Sequence, residues 1–189
     1  MALSRQAPGF TAADPPSRPQ RIFFALWPDA AARRALESVS IRVATRCGGR
    51  PVPAANLHLT LAFLGDIESG RLEDACRAAA GVRASAFGVV LDCLGSFWRA
   101  RVAWAGSRTP DGALMALWAA LAQALRQEAF VLERREFAPH LTLVRKLGHV
   151  LGEEPMAVVQ WPAQSFALVE SDRRTGRYRT LAQWPLGAT

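Results

Sequence analysis

Apolar and polar residues alternate over two stretches of this chain, residues 57–64 and 137–144, with the two-residue period of a strand that buries one face. In the first, strict alternation puts Leu57, Leu59, Leu61 and Phe63 on one face and His58, Thr60 and Ala62 on the other. In the second, His140 and Thr142 share a face, whereas Arg145 falls with Leu141 and Leu143. A β-rich run over residues 21–27 ends at Pro28, and Asp29 is placed to cap a helix with the stripe Ala32, Leu36, Val39 and Val43. Gly48, Gly49 and Pro51 stop that helix. A second helix is predicted over residues 69–80, burying Leu72, Ala75, Cys76 and Ala79. Strands follow at 87–94 and 101–105. A third helix opens at Thr109-Pro110, a capping residue before proline at the first helical position, with the stripe Leu114, Leu117, Trp118, Leu121 and Leu125. The tail reads as a hairpin, strands 165–171 and 177–184 around a turn at 172–176. Residues 1–20, with four prolines, read as a flexible lead-in, and residues 21–189 as one domain. The order of elements is α+β.

The two alternating stretches carry the same four residues, His58-Leu59-Thr60-Leu61 and His140-Leu141-Thr142-Leu143, and these phrases use two of the chain's three histidines. In-line cleavage of a phosphodiester needs a base for the nucleophile and an acid for the leaving oxygen. Histidine serves both roles because its ordinary pKa, about 6.5, lies near neutrality. A threonine two residues on places a hydroxyl on the same face, where it can bond a non-bridging phosphate oxygen. The leucines anchor each strand and hold that polar face in position. A single His-x-Thr is commonly a surface polar pair. Its recurrence on two well-patterned strands favours a catalytic pair, with Thr60 and Thr142 as accompanying site residues.

Composition changes this picture little. The formal net charge of +7 suits a polyanionic partner, but 22 of the 23 basic residues are arginine in an Ala- and Gly-rich chain, a skew that codon bias also produces. Cys47, Cys76 and Cys93 have no metal or disulfide spacing and read as reduced thiols. With no secretory leader and no apolar run approaching the roughly 18 residues that cross a bilayer, the chain is expected to be soluble, cytoplasmic and away from membranes. Neither phrase offers a third ligand for zinc, and no nucleophile elbow or phosphate-cradling glycine loop occurs. No metal and no cofactor are therefore expected.

The two phrases resemble the signature motifs of the 2H phosphoesterase superfamily. Their flanks, LHLTLAFLG at 57–65 and PHLTLVR at 139–145, with Arg21-Ile22-Phe23-Phe24-Ala25-Leu26 as an opening strand, are similar to its RNA 2′,3′-cyclic phosphodiesterase branch, also called 2′-5′ RNA ligases. The resemblance implies a bilobal, pseudo-two-fold α+β fold. Two antiparallel sheets would flank a V-shaped cleft, with helices outside. It implies metal-independent hydrolysis of 2′,3′-cyclic phosphate RNA ends to 2′-phosphomonoesters, with a weak reverse 2′-5′ ligation. His58 is then the proton donor and His140 the acceptor, Thr60 and Thr142 bind the phosphate, and Arg145 is a substrate-binding candidate. The residues alone leave the reverse assignment of the histidines open. The expected partner is RNA or a nucleotide with a cyclic phosphate end, with no obligate protein partner and a monomeric state. Two alternatives remain at this point: a phosphodiesterase for 2′,5′-oligoadenylate or a small cyclic nucleotide, and a non-catalytic RNA-binding module.

Overall fold

The computed structural model describes residues 20–133 and 136–187. The lead-in expected over residues 1–20 lies outside them except for Gln20, which begins the first strand. The chain runs β1 (Gln20–Leu26), α1 (Ala30–Cys47), β2 (Arg50–Pro51), β3 (Leu59–Ile67), α2 (Gly70–Gly81), β4 (Phe87–Phe97), β5 (Val102–Gly106), α3 (Gly112–Gln127), β6 (His140–Arg145), β7 (Glu154–Ala163), β8 (Ser165–Ser171) and β9 (Tyr178–Pro185). All strand pairs between these elements are antiparallel.

The α+β expectation holds, and the strands fall into two groups of four. The path β7-β4-β5-β6-β3-β1-β8-β9 narrows at its centre, where β3 meets β6 through one register pair, Leu59 with Leu141. Each half therefore contributes one His-Leu-Thr-Leu strand to the junction. β2 adds itself beside β6.

One face of this path carries the main core. Leu59, Leu61, Leu141 and Leu143 pack with Leu36, Val39 and Val43 of α1 and Leu114, Leu117 and Leu121 of α3, all almost wholly buried. Full burial of each such leucine contributes about 1.5–3 kcal/mol, so both histidine strands are firmly seated. A second, smaller cluster, Phe23, Ala25, Ala167 and Val169 with Trp27 and Tyr178 against it, lies apart from the main core.

The Asp29 cap is present, its carboxylate accepting from the Ala32 N–H at 2.8 Å. The third helix starts later than the sequence predicts. Asp111, not Thr109, caps it by accepting from the Ala113 N–H at 2.6 Å, because a carboxylate in extended conformation outranks the earlier Thr-Pro signal. β7 has no counterpart in the sequence reading. Pro155 and Pro162 disguise it, and both are tolerated because β7 is an edge strand.

Candidate active site

The Leu59–Leu141 pair fixes what surrounds it. Extending that antiparallel register by one residue each way sets His58 opposite Thr142 and Thr60 opposite His140. The two leucines point into the core, so the four polar side chains share the other face. The histidines are then diagonal neighbours, roughly 7–8 Å apart with their Cβ atoms somewhat closer.

Each ring is held in the same way. His58 Nδ1 donates to the Asn56 carbonyl at 2.6 Å and His140 Nδ1 to the Ala138 carbonyl at 2.8 Å. A carbonyl only accepts, so these bonds place the proton on Nδ1 and make Nε2 the acid–base atom. Asn56 is tied in turn: its Nδ2 donates to the Gly176 carbonyl at 2.8 Å, on the turn between β8 and β9. On the first ring's other sides stand Phe23, Tyr178 and Trp27, with ring centroids at 4.8, 5.2 and 5.5 Å. His140 meets Phe97 edge-on at 5.0 Å, and Phe97 meets Trp104 at 5.5 Å. Trp104 lies over two glycines. A Cβ on Gly95 would come within 2.3 Å of the indole and one on Gly106 within 2.9 Å, so only glycine leaves room for this wall.

Two β-bulges then redirect the residues after each phrase. In the β5–β6 pair, Trp104 opposes Thr142 while Ala103 opposes Val144, which leaves Leu143 as the extra residue. Leu143 and Val144 are consequently both buried, and Arg145, opposite Val102, turns onto the face of His140 and Thr142. Strict alternation had sent Arg145 to the core side with Leu141 and Leu143; the bulge corrects that. In the β1–β3 pair the same slip occurs at Leu61. It buries Ala62 and brings Phe63, 38% exposed, onto the histidine face beneath the Arg21 guanidinium at 4.7 Å, the reverse of the expected faces. The Leu143 bulge carbonyl is satisfied by Ser40 Oγ of α1 at 2.6 Å and by the Val52 N–H at 2.8 Å. Ser40 is fully buried, and this bond explains a polar residue on an apolar helix face.

Burial among the aromatics pushes His58 down to about 4, against the opposing pull of the Asn56 carbonyl, and the charges of Arg145 and His140 push the same way as burial. A competent pair carries one proton between its two rings. Protonating His58 as well destroys that state, so the acidic limb of kcat/KM for this residue is expected near pH 4. A bound phosphodiester anion favours the imidazolium and moves the limb upward in kcat. A pH–rate series in both parameters checks this; identical limbs in kcat and kcat/KM contradict an anion seated beside His58.

Among the described residues no three His, Cys, Asp or Glu side chains converge as a metal site. Trp98 is half exposed beside Phe97. The aromatic walls Phe23, Trp27, Tyr178, Phe97 and Trp104 were not singled out together by the sequence, although their alternate positions in strands were a usable signal.

A family model described as LigT like Phosphoesterase matches residues 26–104. The RNA 2′,3′-cyclic phosphodiesterase of Escherichia coli is 35% identical over 174 residues, 90% of this chain and 98% of that protein. The chain belongs to the LigT-like phosphoesterases. A second relative, the RNA 2′,3′-cyclic phosphodiesterase of Thermus thermophilus, is 30% identical over 80% of this chain and 82% of its own length. The crystal structure of E. coli LigT complexed with 3′-AMP superposes with a TM-score of 0.82 at 33% identity, covering 89% of this chain and 98% of that one. The 2H resemblance and the fold expected from it therefore stand. No helix among the described residues is long and apolar enough to cross a membrane.

Proposed function

We propose that this chain is an RNA 2′,3′-cyclic phosphodiesterase that works by two-histidine acid–base catalysis without a metal, acting as a monomer in the cytoplasm. The observation that supports the reading is the Leu59–Leu141 register, from which the two imidazoles and the two threonine hydroxyls are inferred to face one phosphate. Water attacks phosphorus and gives its proton to His140 Nε2. The P–O3′ bond breaks as His58 Nε2 protonates the departing 3′ oxygen, leaving a 2′-phosphomonoester. Thr60 and Thr142 donate to the non-bridging oxygens, and Arg145 offsets their negative charge. With a 5′-hydroxyl in place of water, the same base takes its proton, O5′ bonds to phosphorus and the P–O3′ bond breaks as the same acid protonates O3′, giving the weak 2′-5′ ligase reaction. Membership of a family whose relatives carry this activity supports the substrate class. The free thiols Cys47, Cys76 and Cys93 suit a reducing compartment.

The low pKa of His58 favours a second assignment of the same two groups, with His58 as base and His140 as acid, because a base must be unprotonated before attack.

The reaction is tested by incubating a 2′,3′-cyclic phosphate oligonucleotide with the protein in EDTA. Full activity and a 2′-monophosphate product are expected. A 3′-monophosphate, or activity abolished by the chelator and restored by a divalent ion, contradicts the reading.

A further inference from the structure

We propose that Arg50 and Arg145 form a second phosphate subsite, which grips the internucleotide phosphate next to the cyclic end and so selects RNA termini over mononucleotides. This rests on the cyclic phosphodiesterase reading above and adds the part of the substrate lying beyond the reacting group.

Arg50 is one of the two residues of β2 and lies directly opposite Arg145 of β6. Opposed residues of an antiparallel pair project from the same face, and the Leu143 bulge has turned Arg145 onto the face of His140 and Thr142. Both arginines are exposed. Two like charges in direct cross-strand register repel and destabilise a sheet. Several exposed arginines have carboxylate partners, as in Arg46–Glu154 at 2.5 Å, Arg108–Asp92 at 3.1 Å, Arg173–Asp66 at 2.6 Å and Arg179–Glu170 at 2.8 Å; others among the described residues have none, but Arg50 and Arg145 are the two set in direct cross-strand register. Among the described residues Arg50 and Arg145 have none. An unneutralised pair of guanidiniums, held in register by a two-residue strand, is suited to a polyanion.

The position fits the next phosphate along a chain. Arg145 follows Thr142 along β6 at roughly 7–10 Å, from a strand rise near 3.3 Å per residue with one residue bulged. Extended arginine side chains cover the remaining distance to a neighbouring phosphate, and the guanidinium fork binds its two non-bridging oxygens together. The Arg145 charge is felt at His58, so the two subsites are contiguous. Arg145 thus borders both, whereas Arg50 lies only beside the outer one. Arg50 stands just after the glycines that break α1, where the residue pattern predicts no strand.

The test compares kcat/KM for adenosine 2′,3′-cyclic phosphate, which has no second phosphate, with the dinucleotide ApA 2′,3′-cyclic phosphate, which has one. The wild type is expected to favour the dinucleotide by about tenfold or more, the scale of one hydrogen-bonded charge contact. Arg50→Gln should remove most of that preference, lowering dinucleotide turnover about tenfold more than mononucleotide turnover, while Arg50→Lys keeps a good part of it. For the dinucleotide, the slope of log kcat/KM against log salt should flatten by about 0.7, one phosphate contact to a single strand. Circular dichroism guards against misfolding, which is not expected for an exposed side chain. Equal losses on both substrates, no loss on either, or a wild type that turns over the mononucleotide without preferring the dinucleotide each overturn the subsite alone. A wild type that hydrolyses neither substrate overturns the phosphodiesterase reading and the subsite with it.

Discussion

Alanine at either His58 or His140 lowers kcat/KM on a 2′,3′-cyclic phosphate by at least about 10²-fold, because each variant loses a positioned proton transfer of the kind worth about 10²–10⁴. The double variant should be little worse than either single one. Both rings act in one transition state, so removing the first already forfeits most of what the second supplies. His58 sits in an aromatic box of Phe23, Trp27 and Tyr178, and alanine there also opens a hole. His58→Gln, which fills more of the box, separates lost chemistry from lost packing: the rate falls as far while the unfolding midpoint moves less. Near-wild-type turnover in both single variants rules out the two-histidine mechanism.

Thr60→Val and Thr142→Val should each cost about 10–100-fold in kcat/KM with little change in stability. Valine keeps the volume and branching that suit a strand and removes only the hydroxyl. A hydrogen bond to a charged oxygen contributes about 1.5–3 kcal/mol, and about 1.4 kcal/mol is a factor of ten. The register sets Thr60 beside His140 and Thr142 beside His58, so the two losses should agree within several-fold. A large loss at one threonine and none at the other means that the phosphate sits in one half of the site. Steady-state rates with thermal melts on the same preparations distinguish these outcomes.

The histidines and threonines were legible because a leucine alternates with each of them, and an alternating strand reports its own faces. The alternation misleads as soon as the backbone slips. Leu61 and Leu143 each occupy a bulge, and nothing in LTLAF or LTLVR marks one; an extra apolar residue reads as more strand. Strict alternation therefore places Phe63, Arg145 and Ala62 on the opposite face from the one they occupy. The hydrogen bond from Ser40 to the Leu143 carbonyl, which holds one bulge, spans 103 residues of sequence, and no local pattern contains it. The first helix was read correctly, stripe and cap alike, since Asp29 and Ala32-Leu36-Val39-Val43 are local signals. β7 was lost to its two prolines. The histidine strands of the two halves meet at a single register pair, Leu59 with Leu141, which repetition of the motif suggests but does not place in register.

The division of labour between the rings is tested most directly with a substrate whose leaving oxygen needs no proton. A 3′-deoxynucleoside 2′-(p-nitrophenyl phosphate) releases p-nitrophenolate on water attack at phosphorus and has no neighbouring hydroxyl to cyclise. An alanine variant of the acid should recover most of its activity on this ester, whereas an alanine variant of the base should stay impaired by about 10²-fold or more. Rescue of His58→Ala makes His58 the donor, and rescue of His140→Ala reverses the roles. Rescue of both variants, or of neither, contradicts a pair of imidazoles that share one proton across a single phosphorus atom.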